Sequence, residues 1–198
     1  MRIVIIEFMS LDGVVQAPGG ADEDTDGGFA HGGWSFRFFD PQVVGGAFSD
    51  AMTTTEALLF GRRTWQKAAE AWPERAGDPF ADQMNAITKY VVSDTLRDDE
   101  LTWNNTTRIA GNEAIDHIRK LRETDGGDIL VIGSSSLART LMREGMVDEL
   151  RLNIEPVILG GGKKIFPDDG ALRAFELVST VTSPKGVLAC TYRPIAEG

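Results

Sequence analysis

Asp128-Ile-Leu-Val-Ile-Gly-Ser-Ser-Ser-Leu-Ala-Arg-Thr-Leu-Met-Arg143 carries the clearest strand–turn–helix pattern in the chain. Ile129 to Ile132 is an unbroken apolar run of β-favouring residues, the pattern of a strand buried on both faces. Gly133 breaks the run, and Ser134, Ser135 and Ser136 are residues that start helices. Leu137, Leu141 and Met142 follow at i, i+4 and i+5 and put one apolar stripe on a helix. Such a unit suits phosphate, because free backbone N–H groups and the positive end of the helix dipole point at one spot. The plainer alternative is a crossover whose serines only cap the helix.

The same alternation extends outward in both directions. Arg2 to Phe8 reads as a strand interrupted by Glu7, closed by the turn residues Ser10-Leu-Asp-Gly13. Pro18 to Gly33 is a long loop containing Asp22-Glu-Asp-Thr-Asp-Gly27. It imitates the start of a calcium loop but has Gly33 at the twelfth position, so a solvated acidic loop is expected. Trp34, Phe36, Phe38 and Phe39 form an aromatic cluster that serves as core or walls a flat ligand. Asp40-Pro41 is an N-cap with proline at N1, opening a helix to about Thr54 with Val43, Val44, Ala47, Phe48 and Met52 inward. Ala57 to Phe60 is a short strand entering Gly61-Arg-Arg-Thr-Trp65 at a second helix. Asp78 to Ile87 is another helix, and Lys89 to Val92 a strand ending at Ser93-Asp94. A weak strand near Thr107 to Ala110 leads to a helix carrying Ile115, Ile118 and Leu121. Glu149 to Leu159 is strand-rich, with Pro156 marking an edge, bulge or break. Gly160-Gly-Gly162 follows, and Phe175 to Thr182 turns at Pro184-Lys-Gly186 into Val187 to Tyr192, an antiparallel hairpin. The expectation is a single α/β domain over residues 1–198, three-layered, with a mostly parallel central sheet.

Composition sets limits on function. The chain has 198 residues, 42% hydrophobic and 25% charged, enough for one well-filled core. A net charge of −10 argues against a nucleic-acid partner. No apolar run approaches the roughly 20 residues that span a bilayer, so no membrane partner is expected and the location is read as cytoplasmic. Cys190 is the single cysteine and is expected to be a small buried side chain. With only His31 and His117, a histidine-rich metal site is ruled out, and no metal is expected. G-x-G-x-x-G, P-loop spacing, G-x-S-x-G and H-E-x-x-H are all absent.

Gly61-Arg62-Arg63-Thr64 repeats the logic of the opening stretch, with two fixed cations and a hydroxyl in place of serines. Guanidinium forks match phosphate through paired charge-assisted hydrogen bonds. Ser93 ends a third strand on the carboxyl edge of the sheet, where α/β folds bind ligands. Three such strand ends point to a dinucleotide. Arg62, Arg63 and Ser93 would meet a 2′-phosphate, whereas Asp94 alone could serve a free ribose hydroxyl, so NADPH is expected over NADH.

Ser10-Leu-Asp-Gly13, Leu59-Phe-Gly-Arg-Arg-Thr-Trp65, Lys89-Tyr-Val-Val-Ser93, Asp128 to Gly133, Val147-Asp-Glu-Leu150 and Pro156-Val-Ile-Leu-Gly-Gly-Gly162 occur in that order. Over essentially the whole chain this set resembles the dihydrofolate-reductase-like superfamily, specifically stand-alone relatives of the C-terminal reductase domain of the bifunctional riboflavin-biosynthesis deaminase-reductase. The resemblance implies an NADPH-binding fold. Gly61, Arg62, Thr64 and Ser93 would hold the adenosine phosphate side. Gly133, Ser134, Ser135, Ser136 and Leu137 would hold the pyrophosphate. Leu11, Gly13 and Val14 would lie over the nicotinamide. Dihydrofolate reductase carries an acid in the helix after its first loop. Here that helix reads Gln42-Val-Val-Gly-Gly-Ala-Phe48 and has none.

The reading is therefore an NADPH-dependent reductase of a small heterocycle or carbonyl compound, resembling the 5-amino-6-(5-phosphoribosylamino)uracil reductase domain. A dihydrofolate or pterin reductase and a non-catalytic NADP-binding dimer are the alternatives. Trp34, Phe36, Gly160 and Gly161 are expected around the substrate, and Asp12, Asp40 and Glu155 are candidate proton donors. A homodimer is expected, because the relatives are commonly dimeric and because Glu149 to Leu159 and Val187 to Tyr192 would form a long apolar edge in need of cover.

Overall fold

A computed structural model describes residues 1–195. The strands are β1 (Arg2–Ser10), β2 (Thr55–Gly61), β3 (Thr88–Val92), β4 (Thr106–Ile109), β5 (Asp128–Ile132), β6 (Glu149–Glu155), β7 (Phe175–Thr182) and β8 (Leu188–Pro194). The helices are α1 (Val44–Thr53), α2 (Arg62–Ala71), α3 (Pro79–Ala86), α4 (Ala114–Arg122) and α5 (Ser135–Arg143). The strands form one eight-stranded sheet in the order β4-β3-β2-β5-β1-β6-β8-β7. The first six are parallel, and β8 and β7 close the sheet antiparallel.

β5 lies between β2 and β1, as its apolar run requires. Alternate side chains face opposite layers. Ile129 and Val131 pack with Ile3, Ile5, Ile118 of α4 and Leu137 and Leu141 of α5. Leu130 packs on the other face with Val4, Ile6, Met52 of α1, Trp65 of α2 and Met84 of α3. β1 is equally central, with Ile3 beside Ile129 and Val4 beside Glu149.

Three expectations are corrected. The strand read over Glu149 to Leu159 stops at Glu155, because Pro156 has no N–H for the ladder. Neither it nor the 187–192 segment is an edge: β6 runs between β1 and β8, and β8 between β6 and β7. The edge strands are β4 and β7. The first helix starts at Val44, since residues 41–43 form turns. Val44 and Met52 are buried and Phe48 stacks on Phe8, but Val43 and Ala47 are only half-buried. They line a cavity of about 230 Å³ against β6 and β8.

At the amino edge Lys89 is fully buried. Its ammonium donates to the carbonyls of Asn85, Ile87 and Asn104 at 2.8–3.0 Å and lies 4.5 Å from the Trp103 ring centroid. Burial lowers its pKa to about 8. Cys190 is buried, as expected.

Candidate active site

The loops after β1, β2, β3, β5 and β6 converge on the carboxyl edge. Two helix N-termini are tied together there. Ser134, with φ of 63°, accepts a hydrogen bond at Oγ from the Gly61 amide at 2.8 Å and donates to Thr64 Oγ1 at 2.9 Å. Gly133 is needed for this approach, and Gly61 makes room for it. A Cβ on Gly61 would sit 3.2 Å from Ser134 Oγ, and one on Gly133, whose φ is +68°, would sit 2.9 Å from Thr64 Cγ2. Ser134 is thus the fastener between the two turns, not the freely donating phosphate ligand expected from its place at a helix start. The amides of Ser135, Ser136 and Leu137 precede the first one that bonds back, Ala138 to the Ser134 carbonyl, and stand at the open start of the helix.

The two arginines have different surroundings. Arg62 is exposed and forms no ion pair among the described residues. Arg63 pairs with Asp26 and lies 3.8 Å from Asp24. Lys163 Nζ bonds both carboxylates as well, Asp26 at 2.9 Å. The acidic loop is therefore folded back onto the sheet edge instead of standing free in water. Gln16 holds it there, with Nε2 donating to the Asp24 and Asp26 carbonyls and Oε1 accepting from the Lys163 amide. The hydroxyl of Ser93, a buried residue, accepts from the amides of Thr95 and Leu96, and it donates no hydrogen bond among the described residues. Asp94 is engaged by the Gly111 amide at 2.6 Å.

After β1, Leu11 is exposed, Gly13 turns with φ of +81°, and buried Val14 donates its amide to Ser10 Oγ. Asp12 accepts from Ser10 Oγ at 2.7 Å, Leu159 N at 3.1 Å and Gly160 N at 2.9 Å. Burial opposes its charge, but the Ser10 hydroxyl and these amides outweigh it and hold the carboxyl below its ordinary value. Asp12 is an ionised clasp on the glycine turn and a poor proton source. Asp40 is also occupied, accepting from the amides of Gln42 and Val43 ahead of α1.

Glu155 is different. It ends β6 abreast of Ser10 and is completely buried. Oε1 accepts from Ser35 Oγ at 2.6 Å, and Oε2 has no partner among the described residues. Burial pushes its pKa up to about 7 despite the Ser35 hydroxyl. Two carboxyl groups at one sheet edge are thus driven apart, one toward charge and one toward retaining a proton.

Between the folded-back loop and the glycine turn lies a cleft of about 520 Å³, walled by Phe29, His31, Gly160, Gly161, Gly162 and Lys163. Gly160 and Gly161, expected around a substrate, line this cleft. Trp34 does not wall the cleft; it is buried, with Nε1 bound to the Gln16 carbonyl at 2.8 Å, and belongs to the loop's own packing. Phe36 is 66% exposed and is likewise outside the cleft.

This geometry agrees with the comparisons to known proteins. Residues 2–189 match the family described as the RibD C-terminal domain. The chain belongs to the RibD C-terminal domain family. It is 28% identical over 196 residues to the uncharacterized protein YyaP of Bacillus subtilis, covering 96% of this chain and 94% of that one. Its fold matches a protein of Shewanella sp. PV-4 described as a candidate riboflavin biosynthesis protein. The TM-score is 0.74 at 19% identity, covering 99% of this chain and 100% of the other. It also matches dihydrofolate reductase of Enterococcus faecalis, solved with NADP(H), with a TM-score of 0.58 at 17% identity over 98% and 96% of the two chains. The chain is a reductase-like domain with the dihydrofolate-reductase fold. Among the described residues no helix is long and apolar enough to cross a membrane.

In this RibD C-terminal domain, the sequence does not single out Gln16, Ser35 and Lys163, and it shows Asp24 and Asp26 only as part of an acidic loop. Their partners are up to 147 residues away, so no local spacing betrays them. Glu7 did leave a signal, an acid inside an apolar strand. It is buried, with Oε1 unpartnered among the described residues, and burial raises its pKa well above the ordinary value.

Proposed function

We propose that this domain is an NADPH-dependent reductase of a small planar heterocycle or carbonyl compound. The observation that carries this reading is the joining of two helix N-termini through Ser134, with Arg62 beside them as an exposed cation lacking an ion-pair partner among the described residues. Amides of Ser135, Ser136 and Leu137, the hydroxyl of Ser93 and the guanidinium of Arg62 form a donor set suited to a doubly phosphorylated ligand. When bound, the nicotinamide supplies the hydride. The chain's share is to orient, to exclude water and to hold a proton. Asp12 fixes the glycine turn against β1, the cleft beside Gly160 and Gly161 takes the substrate, and Glu155 is the group positioned to retain a proton near neutrality. Titration of the wild-type protein with both reduced cofactors, followed by nicotinamide fluorescence, tests the reading. Saturable binding with NADPH the tighter ligand is expected, and no binding of either would remove it.

A homodimer is part of the same proposal. Support comes from β7, an edge strand exposed along almost its full length that presents Leu177, Val178 and Val181 to solvent. An open apolar edge of this kind pairs readily with a second copy. Light scattering at micromolar concentration is expected to return twice the chain mass of 21.5 kDa. Leu177→Glu should shift it toward the monomer, and a monomeric wild type would refute the dimer.

A further inference from the structure

Arg63 stands in the turn that, on the proposed function, meets cofactor phosphate, yet it is already paired. Its partners Asp24 and Asp26 lie in the segment that folds back over the carboxyl edge, and Lys163, after the glycine turn, holds the same two carboxylates. Two acids and two bases thus form a closed, nearly neutral clasp. All four side chains keep some exposure, so the clasp is open to exchange with solvent ions. A phosphate arriving at Arg63 would add negative charge beside two carboxylates, and that combination is disfavoured. The backbone carbonyls of the same acids are held by Gln16, and Asp26 also lines the cleft. Whatever moves these acids therefore reshapes the substrate wall.

We propose that Asp24 and Asp26 act as an internal anion that occupies Arg63 in the ligand-free protein and yields it to the phosphate of an incoming dinucleotide, so that cofactor binding reshapes the substrate cleft. This rests on the reading of the site as a dinucleotide site. It assigns the acidic segment a role in tuning cofactor affinity: the acids hold affinity below what the cations alone would give.

The test compares NADPH affinity of the wild type, Asp24→Asn/Asp26→Asn and Arg63→Ala, and of the triple combination, at low ionic strength. Removing both charges is expected to tighten NADPH about 3- to 10-fold, the scale of partly exposed ion pairs. On the Arg63→Ala background the same pair of substitutions should give no gain, since the contested cation is gone. Unchanged or weaker binding by the Asp24/Asp26 variant would overturn the proposal and show that the acids position Arg63 for the ligand. A gain that persists without Arg63 would also overturn it. If no form binds either dinucleotide, the cofactor reading itself falls, a result distinct from binding that ignores the acids. Should the double variant fail to fold, Asp26→Asn alone carries the same comparison.

Discussion

Replacing Arg62 with alanine is expected to weaken NADPH binding about 10- to 100-fold and NADH binding much less. A charge-assisted hydrogen bond contributes roughly 1.5–3 kcal/mol, and each 1.4 kcal/mol is about tenfold in affinity. Arg62 is the arginine to choose, because Arg63 already shares its charge with Asp24 and Asp26. The surface partners that could have neutralised Arg62 do not do so: Glu70 pairs with Lys67 at 3.0 Å, and Glu74 forms no ion pair with it among the described residues. The chain carries a net charge of −10, so no general positive field exists to make up for the loss. Fluorescence titration of both cofactors against both proteins separates the cases. Equal losses for NADPH and NADH would remove the 2′-phosphate role.

Glu155→Gln should change how stability depends on pH. The folded carboxyl has a pKa of about 7, above its ordinary value of 4.5. Between those values the folded protein keeps a proton that the unfolded chain has released. The contribution is therefore fully present below pH 4.5 and is lost as pH rises through 7. Allowing for residual solvation, the loss is on the order of 2 kcal/mol. The glutamine variant has no charge to bury, so it should match the wild type near pH 4.5 and exceed it at pH 8. Urea midpoints across that range measure the difference. A constant offset between the two proteins would contradict the raised pKa. Glu7 contributes in the same direction in both proteins and does not confuse the comparison. In the proposed reduction, a proton donor of this kind also requires activity to decline above about pH 7 in the wild type alone.

Local patterns carried most of the architecture. Ile129 to Ile132 announces a strand covered on both faces, Asp78-Pro79 marks a helix start that the Asp78 carboxylate does cap, and Pro184-Lys-Gly186 marks the hairpin. What depends on distant pairing was hidden. Ser134 reads as a helix cap, but its hydroxyl is used by Gly61, 73 residues earlier. Asp22 to Asp26 reads as solvated because nothing nearby in sequence carries the opposite charge, whereas Arg63 and Lys163 arrive from other strand ends. The strand ends that hold phosphate-compatible groups were legible as types of residue. Which of those groups remain free for a ligand is a property of the folded edge.

The central place of β1 has a consequence for how the protein is made. Val4 lies beside Glu149 and Ile3 beside Ile129, so β1 leaves the ribosome well before its partners and cannot pair until most of the domain has followed. At roughly 5–20 residues per second, that wait lasts roughly ten seconds to half a minute. Throughout it Ile3, Val4, Ile5 and Ile6 remain an unpaired, β-prone apolar tetrad, the kind of segment that self-associates when left exposed. The nascent domain is thus most vulnerable at β1, and its yield in cells depends on how long that strand is kept apart from its copies.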